Sequence, residues 1–183
     1  MLRAFIPQHE IENEVEHLLE RGHAQGMSRR GPVDLDWLCE AILAWALVYD
    51  DTLPKGIEGF SDFQLRQVRL NTNVSNVERM RFTLAHELGH VVLHHPQLEG
   101  VLEQVRLFEA PPDPAALLRA PHIETQADRF GAALLLPRSR LSEFRFQPIL
   151  DRVEQVYLHF QVSRQSARIR LQSLNLLHPP TLL

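Results

Sequence analysis

The sequence feature that most constrains the fold of this chain is HELGH at residues 86–90. This HExxH motif lies in a run of apolar residues that recur at helical spacing, which predicts that a helix carries it. Because four residues make slightly more than one helical turn, the imidazoles of His86 and His90 project from one face and can hold one metal ion. Glu87 points about 100° away from His86 around the helix, so that it can face a metal-bound water as general base.

The residues around the motif decide between two interpretations, a buried site and a solvated helix face. Histidine is frequent in this chain, at 10 of 183 residues, so three polar residues on a surface helix are the alternative interpretation. Phe82, Leu84 and Val91 argue against it, because they leave little polar face and predict a helix that is buried on most sides. Buried histidine and glutamate side chains need partners, and a metal ion would supply them.

A second helical segment offers a third ligand. Glu124 and Asp128 stand four residues apart at the start of the next strongly helical stretch. Two histidines and one glutamate, with a water in the fourth position, are an established ligand set of zinc hydrolases. Asp128 could accept the N–H of a ligand histidine and fix its tautomer. The alternative is an acidic first turn that only stabilises the helix N-terminus.

Apolar periodicity predicts two helices and then two strands ahead of the motif helix. The helices are expected around residues 11–19 and 35–43, with Asp34 as the N-cap of the second. The strands are expected at residues 45–49 and 63–70. Since the rest of the chain has a helical pattern, we predict an α+β fold that is mostly helical, with a small mixed or antiparallel sheet.

The segments that flank the motif helix are predicted from their turn-forming residues. Asn73 or Ser75 is expected to cap the helix at its start, and Pro96 to end it. The prolines that follow predict a loop up to Pro121, with at most an edge strand at residues 105–108. We therefore expect the helix with the third ligand to begin only after this loop.

Composition and charge favour an ordinary globular protein. Apolar residues make up 44% and charged residues 23% of the chain, close to the average for globular domains. A formal net charge of -4 argues against nucleic-acid binding through bulk positive charge. Cys39 is the only cysteine, so no intramolecular disulfide can form and a buried thiol is expected. No apolar segment has the length of a secretion signal or a membrane span, which predicts a cytoplasmic protein without a membrane partner.

Two longer stretches of the sequence, in this order, resemble a known family. They are RMRFTLAHELGHVVLH at residues 79–94 and ETQADRFGAALLLP at residues 124–137. They resemble the paired motifs of the ImmA/IrrE family of metallopeptidases, and the similarity extends over residues 33–177. Gly131 stands where that family often has alanine.

The resemblance implies a zincin-type, gluzincin-like fold with Zn²⁺ on His86, His90 and Glu124 and with Glu87 as the catalytic residue. Mn or Fe could replace zinc in such a site. Known members relieve repression by cleaving a helix-turn-helix repressor. We therefore predict a zinc-dependent endopeptidase of the ImmA/IrrE type that cleaves such a repressor or a similar regulatory protein. The alternative is a non-catalytic zinc-fold regulator that binds a repressor or a toxin–antitoxin partner.

The C-terminal segment has the pattern of a helix-turn-helix. An apolar helix end is followed by a Val-Ser turn and a second helix. Arg164, Arg168 and Arg170 in this segment could touch DNA phosphates, although a packing or substrate-docking role is favoured in an acidic chain. We predict a zincin-like metallopeptidase domain over residues 1–145, with a helical segment over residues 146–183 packed on it.

A donor for the oxyanion of the transition state would complete the catalytic site. Five side chains are candidates, and for each of them a solvated or packed structural role is the favoured interpretation. They are His94, His95, His122, Tyr157 and His159.

Overall fold

Most of the described fold is helical, and its three short strands form one small sheet. The computed structural model describes residues 6–93 and 114–177. Within these two ranges no helix is long and apolar enough to cross a membrane. The order of elements gives the α+β class that the sequence predicts. The elements are α1 (Gln8–Ala24), α2 (Leu35–Trp37, continued by a π-helical turn at Leu38–Ile42), β1 (Ala46–Asp50), β2 (Gly59–Asp62), β3 (Gln67–Asn71), α3 (Val77–Val92), α4 (Pro114–Leu135), α5 (Arg138–Leu141, continued by a 3-10 helical turn at Ser142–Phe146), α6 (Ile149–Phe160) and α7 (Arg164–Ser173).

The helices ahead of the sheet follow their apolar spacing. In α1, Ile11 and Val15 recur on one face and are fully buried. Helix α2 begins as predicted, with the Asp34 side chain accepting a hydrogen bond from the backbone N–H of Trp37. Cys39 in the following turn is fully buried, and burial raises the pKa of its thiol to about 12. At neutral pH this thiol stays protonated and packs as a small apolar side chain.

The sheet is mixed and has the strand order β1-β3-β2. The central strand β3 runs parallel to β1 and antiparallel to β2. Val68 in β3 lies opposite Leu47 of β1 and Ser61 of β2, so these three side chains share one face. Helix α3 packs against β2 and β3, and this face of the sheet therefore lies toward the HExxH motif.

The prediction of a single strand over residues 63–70 was wrong. The structure has two strands, β2 and β3, joined by a turn in which the backbone N–H of Leu65 donates to Asp62 Oδ1. Gly59 and Ser61 occupy the buried positions of β2. Because neither is a large apolar residue, β2 shows none of the alternation that reveals a half-buried strand.

Helix α3 is buried on most sides, as the apolar residues around its motif predict. It packs against β2 and β3 on one side and against α4 on another. Its N-cap is Asn76, whose side chain accepts a hydrogen bond from the backbone N–H of Arg79, so the predicted caps Asn73 and Ser75 were wrong. Asn73 instead donates its side-chain amide to the Asp51 carbonyl and stabilises the turn before the helix.

Helix α4 begins earlier than the sequence predicts. Its backbone is helical from Pro114, so the last part of the predicted loop was wrong and Pro121 lies within the helix. Proline suits the first turn of a helix, and a later proline removes one N–H without having to end the helix. Glu124 therefore lies far from the helix start, which excludes a first-turn role in stabilising the N-terminus. The predicted edge strand at residues 105–108 lies outside the described residues.

Helices α6 and α7 form the helix-turn-helix-like segment that the sequence predicts. Gln161 in the turn has a φ of 53°, and Ser163 caps α7 by accepting a hydrogen bond from the backbone N–H of Ser166. Phe160 and Leu171 are fully buried and belong to the same hydrophobic cluster as residues of α1, α3 and α4. The segment therefore packs on the rest of the chain through a shared core.

A buried ion pair joins helix α7 to helix α1. Arg170 donates from Nη1 and Nη2 to the two carboxylate oxygens of Glu12, at 2.6 and 2.7 Å, and from Nε to the Leu136 carbonyl. Only 6% of the Arg170 side chain and 12% of the Glu12 side chain is exposed. Burial alone would raise the pKa of Glu12, but the hydrogen bond and the charge of Arg170 outweigh burial and lower it. The carboxylate is thus held in its charged form.

Replacing Arg170 with methionine should destabilise the fold, because Glu12 would then stay buried without its charged partner. At neutral pH we expect the free energy of unfolding to fall by about 3–5 kcal/mol, measured by urea denaturation. The pKa of Glu12 is lower in the folded than in the unfolded chain, so the pair stabilises the fold above the unfolded-state pKa and loses its effect as the pH falls through the folded-state pKa. The difference between variant and wild type should therefore narrow below about pH 4.

The exposed Arg168, on the same helix, provides the matched control. Arg168→Met should change the free energy of unfolding by no more than about 0.5 kcal/mol. An equal loss in the two variants would contradict the importance of the ion pair.

Candidate metal centre

Three side chains from two helices converge at one point. His86 and His90 lie one turn apart on α3, and Glu124 lies on α4, which packs against it. The Nε2 atoms of the two imidazoles are 3.0 Å apart. Glu124 approaches with Oε2 3.3 Å from His86 Nε2 and with Oε1 3.7 Å from His90 Nε2. The structure thus brings together the three residues that the sequence predicts as ligands, and they could hold one metal ion.

The spacing of these atoms fits a zinc ion. Ligand atoms that lie about 2.0–2.1 Å from zinc stand about 3.3 Å apart in a tetrahedron. The 3.0 Å between the two imidazole nitrogens and the 3.3 Å between His86 Nε2 and Glu124 Oε2 lie close to that value. Two imidazole nitrogens and one carboxylate are also donors that zinc prefers, and they leave a fourth position open.

Negative charge is concentrated around His86. Its Nδ1 lies 2.9 Å from Asp128 Oδ1, which is the contact expected of a carboxylate that orients a ligand histidine. Burial alone would lower the pKa of His86, but the hydrogen bonds with Asp128 and Glu124 and the charges of Glu87 and Glu124 outweigh burial and raise it to about 10. A divalent cation would neutralise the same carboxylates.

Glu87 lies beside the three candidate ligands and is 5% exposed. Its Oε2 accepts a hydrogen bond of 2.8 Å from the hydroxyl of Ser61, which lies on β2. The sequence analysis missed Ser61, because it did not predict β2 and because a single serine outside any motif carries no signal. The sheet, and not only the two motif helices, therefore contributes to the surroundings of this site.

Two glycines allow α3 and α4 to approach each other closely. A Cβ at Gly89 would lie 3.1 Å from the Cα and carbonyl oxygen of Ala127. A Cβ at Gly131 would lie 3.1 Å from the backbone nitrogen of His86 and 3.3 Å from the carbonyl carbon of Ala85. Backbone atoms cannot turn aside as the end of a flexible side chain can, so a larger residue at either position would push the helices apart. Gly131, where the resembled family often has alanine, thus supports close packing against the ligand helix.

The structure does not single out one of the five candidate oxyanion donors. His94 and His95 lie outside the described residues, and His122 is exposed on α4. Tyr157 and His159 both lie on α6, where Tyr157 contacts a guanidinium group of α7 and His159 packs edge-on against neighbouring phenylalanine rings. The described structure thus gives Tyr157 and His159 packing roles, which the sequence analysis favoured.

The three arginines considered for DNA contacts differ in their surroundings. Arg170 is buried against Glu12 and is therefore unavailable to a phosphate. Arg164 is exposed and makes a bidentate ion pair with Glu154, at 2.8 and 2.9 Å. Arg168 is exposed. A DNA-binding role for this segment would rest on two arginines at most, one of which is already paired.

Comparison with known proteins gives a family match and similar folds among solved structures. The model of the peptidase family described as the IrrE N-terminal-like domain matches residues 46–172. No curated protein matches the sequence. Among solved structures, one described as a Mycobacterium tuberculosis transcriptional regulator superposes with a TM-score of 0.59 at 18% sequence identity, which shows a shared fold alone. The match covers 92% of this chain and 47% of the other, so this chain spans about half the length of that protein.

Protein purified without added metal should contain about one zinc ion per chain, because the ligand atoms already stand at suitable distances. Elemental analysis should show that His86→Ala and Glu124→Ala each lose this zinc. His122→Ala is the matched control, since it removes an exposed histidine two residues from Glu124 on the same helix and should retain the metal. Wild-type protein that is free of metal and takes up no zinc on titration would contradict the site.

Proposed function

Because the chain belongs to the peptidase family of the IrrE N-terminal-like domain, we propose that it is a zinc-dependent endopeptidase that cleaves a regulatory protein. The observation that carries this proposal is the convergence of His86, His90 and Glu124 beside the buried carboxylate of Glu87. Two imidazoles, one carboxylate ligand and an adjacent carboxylate base form a set that serves zinc-dependent peptide hydrolysis.

Each residue of the proposed site has a separate task. His86, His90 and Glu124 hold the ion. When bound, zinc supplies Lewis-acid chemistry, because it polarises a carbonyl and lowers the pKa of water from about 15.7 toward about 7. Glu87 accepts a proton from the attacking water and passes it to the nitrogen of the leaving amine. Asp128 accepts the Nδ1–H of His86, which leaves the Nε2 lone pair for the metal.

The substrate in this proposal is a helix-turn-helix transcriptional repressor or a similar regulatory protein. The support is the resemblance of both motifs to a family whose known members cleave such repressors, together with the family match. A cytoplasmic substrate of this kind would place the reaction in the cytoplasm. Residues 146–183 would act as a scaffold packed on the peptidase domain of residues 1–145, because Arg170 of this segment is buried against Glu12.

Glu87→Gln should strongly slow cleavage and leave the zinc content unchanged, because glutamine has nearly the same shape but cannot accept the proton. We expect kcat/KM to fall by a factor of about 10²–10⁴. Cleavage is measured on a peptide library prepared from a proteome, with new termini identified by mass spectrometry. Glu78→Gln, which changes an exposed glutamate in the first turn of the same helix, should cleave like the wild type.

Two results would overturn the proposal. If wild type and Glu87→Gln produced the same new termini at the same rate, the cleavage would come from another source. If zinc-loaded wild type bound a helix-turn-helix repressor and left it intact, a non-catalytic regulator would be the better description.

Asp128→Asn should weaken zinc binding, because the amide is a poorer acceptor for the Nδ1–H of His86 than the carboxylate. We expect a loss of about 10- to 100-fold in affinity, measured by competition with a chelating dye. Arg129→Gln changes the exposed neighbouring residue and should keep the wild-type affinity. If Asp128→Asn and wild type bound zinc with equal affinity, Asp128 would have no role in metal binding.

A further inference from the structure

We propose that Ser61 is a positioning residue that orients Glu87 for proton transfer, an inference that rests on the proposed function. Ser61 lies on β2, outside both sequence motifs. Its Oγ is 2.8 Å from Glu87 Oε2 and 3.2 Å from the backbone carbonyl oxygen of Glu87. The hydroxyl thus contacts the side chain and the backbone of the same residue, which links the general base to the sheet.

Burial makes this contact effective. Ser61 is 8% exposed and Glu87 is 5% exposed, so little water competes for the hydrogen bond. A hydroxyl that donates to a carboxylate makes a charge-assisted bond, and such bonds are short and strong where the surroundings have a low dielectric constant. The side chain of a glutamate has three rotatable bonds, and fixing Oε2 restricts them before a substrate arrives. The carboxylate is therefore oriented in advance, which lowers the entropic cost of reaching the reactive geometry.

The local backbone brings the short serine side chain within reach of α3. Two residues before Ser61, a Cβ at Gly59 would lie 2.8 Å from Thr83 Cγ2 and 2.9 Å from the Arg69 carbonyl oxygen. Strand β2 can therefore lie this close to α3 only because residue 59 is a glycine. Ser61 lies on the same face of the sheet as Gly59. Its pairing with Val68 of β3 fixes its position along helix α3.

The same interface contains a second buried hydroxyl, which can serve as a control for Ser61. Thr83 Oγ1 lies 3.1 Å from the Arg79 carbonyl oxygen and 3.3 Å from Glu58 Oε2. Like Ser61, Thr83 is a buried hydroxyl at the contact of α3 with β2 that meets one backbone carbonyl and one carboxylate. The carboxylate that Thr83 contacts, however, belongs to Glu58 and not to the proposed base. The effects of losing a buried hydroxyl in general can therefore be measured at Thr83.

The test compares Ser61→Ala, Ser61→Thr and Thr83→Val in the full chain with two readouts. The first is kcat and KM on the best peptide from the proteome-derived library. The second is the affinity of cobalt(II)-loaded protein for acetohydroxamate, followed by its visible spectrum. Acetohydroxamate chelates a metal through two oxygens and can share a hydrogen bond with a neighbouring carboxylate, so its affinity reports the orientation of Glu87 and needs no turnover.

For Ser61→Ala we expect kcat to fall by about tenfold or more with KM within about twofold of wild type, because binding is kept and orientation is lost. The affinity for acetohydroxamate should fall by about tenfold, the effect of losing one well-placed hydrogen bond. Ser61→Thr keeps the hydroxyl and should restore both values. Thr83→Val should match wild type in both readouts, even if its melting temperature falls.

Ser61→Ala with the wild-type kcat and acetohydroxamate affinity would overturn the inference, as would equal losses in Ser61→Ala and Thr83→Val. If no library peptide is cleaved, the acetohydroxamate affinities decide the outcome alone. Failure of the proposed function would be recognised from other measurements. The wild-type protein would then take up no metal, or its cleavage would not depend on Glu87. That result would remove the role of Ser61 as well.

Discussion

The close crossing of α3 and α4 is the constraint on which the rest of the structure depends. Helix α3 supplies two imidazoles one turn apart but no third ligand, and α4 supplies a carboxylate that cannot hold a metal alone. Metal–ligand distances tolerate errors of only about 0.2 Å, so the separation of the two helices decides whether a site exists. Gly89 and Gly131 permit the approach, although a glycine inside a helix costs about 1 kcal/mol relative to alanine. The helices thus give up some intrinsic stability where the candidate ligands meet.

The same crossing concentrates negative charge around a partly buried imidazole. Glu87, Glu124 and Asp128 all act on His86, and together they outweigh the effect of burial and raise its pKa to about 10. A cation held by His86, His90 and Glu124 would offset the same charge, so metal binding at this site would be coupled to the loss of protons from the ligand side chains. The high pKa reflects the charge of the surroundings and does not mark His86 as an acid or base of the reaction.

The sequence predicts the parts of this structure that have a regular period or a motif. The HExxH helix and the shared face of its histidines follow from helical spacing, and its burial follows from the apolar residues around the motif. The approach of Glu124 was predicted from the ligand set of zinc hydrolases and from the family resemblance. Strand β2 could not be predicted, because its buried positions hold Gly59 and Ser61, whose small side chains matter through what they allow to come close. The start of α4 at Pro114 was also missed, since proline is compatible with both a loop and a first helical turn. The first failure arises because packing between distant segments leaves no local pattern, and the second because one local pattern is compatible with two structures.

The C-terminal helices illustrate why a familiar local shape does not establish a function. Helices α6 and α7 have the turn and the capping serine of a helix-turn-helix, and their arginines suggested phosphate contacts. In the folded chain, however, Arg170 turns inward to Glu12 and the Leu136 carbonyl, so this residue connects the end of the described chain to its first helix and to the end of α4. Because α4 carries Glu124, the packing of α7 on its C-terminal end helps to fix the helix that completes the proposed metal site. Helix α7 thus packs as part of the fold, and Arg170 is unavailable for contacts with DNA.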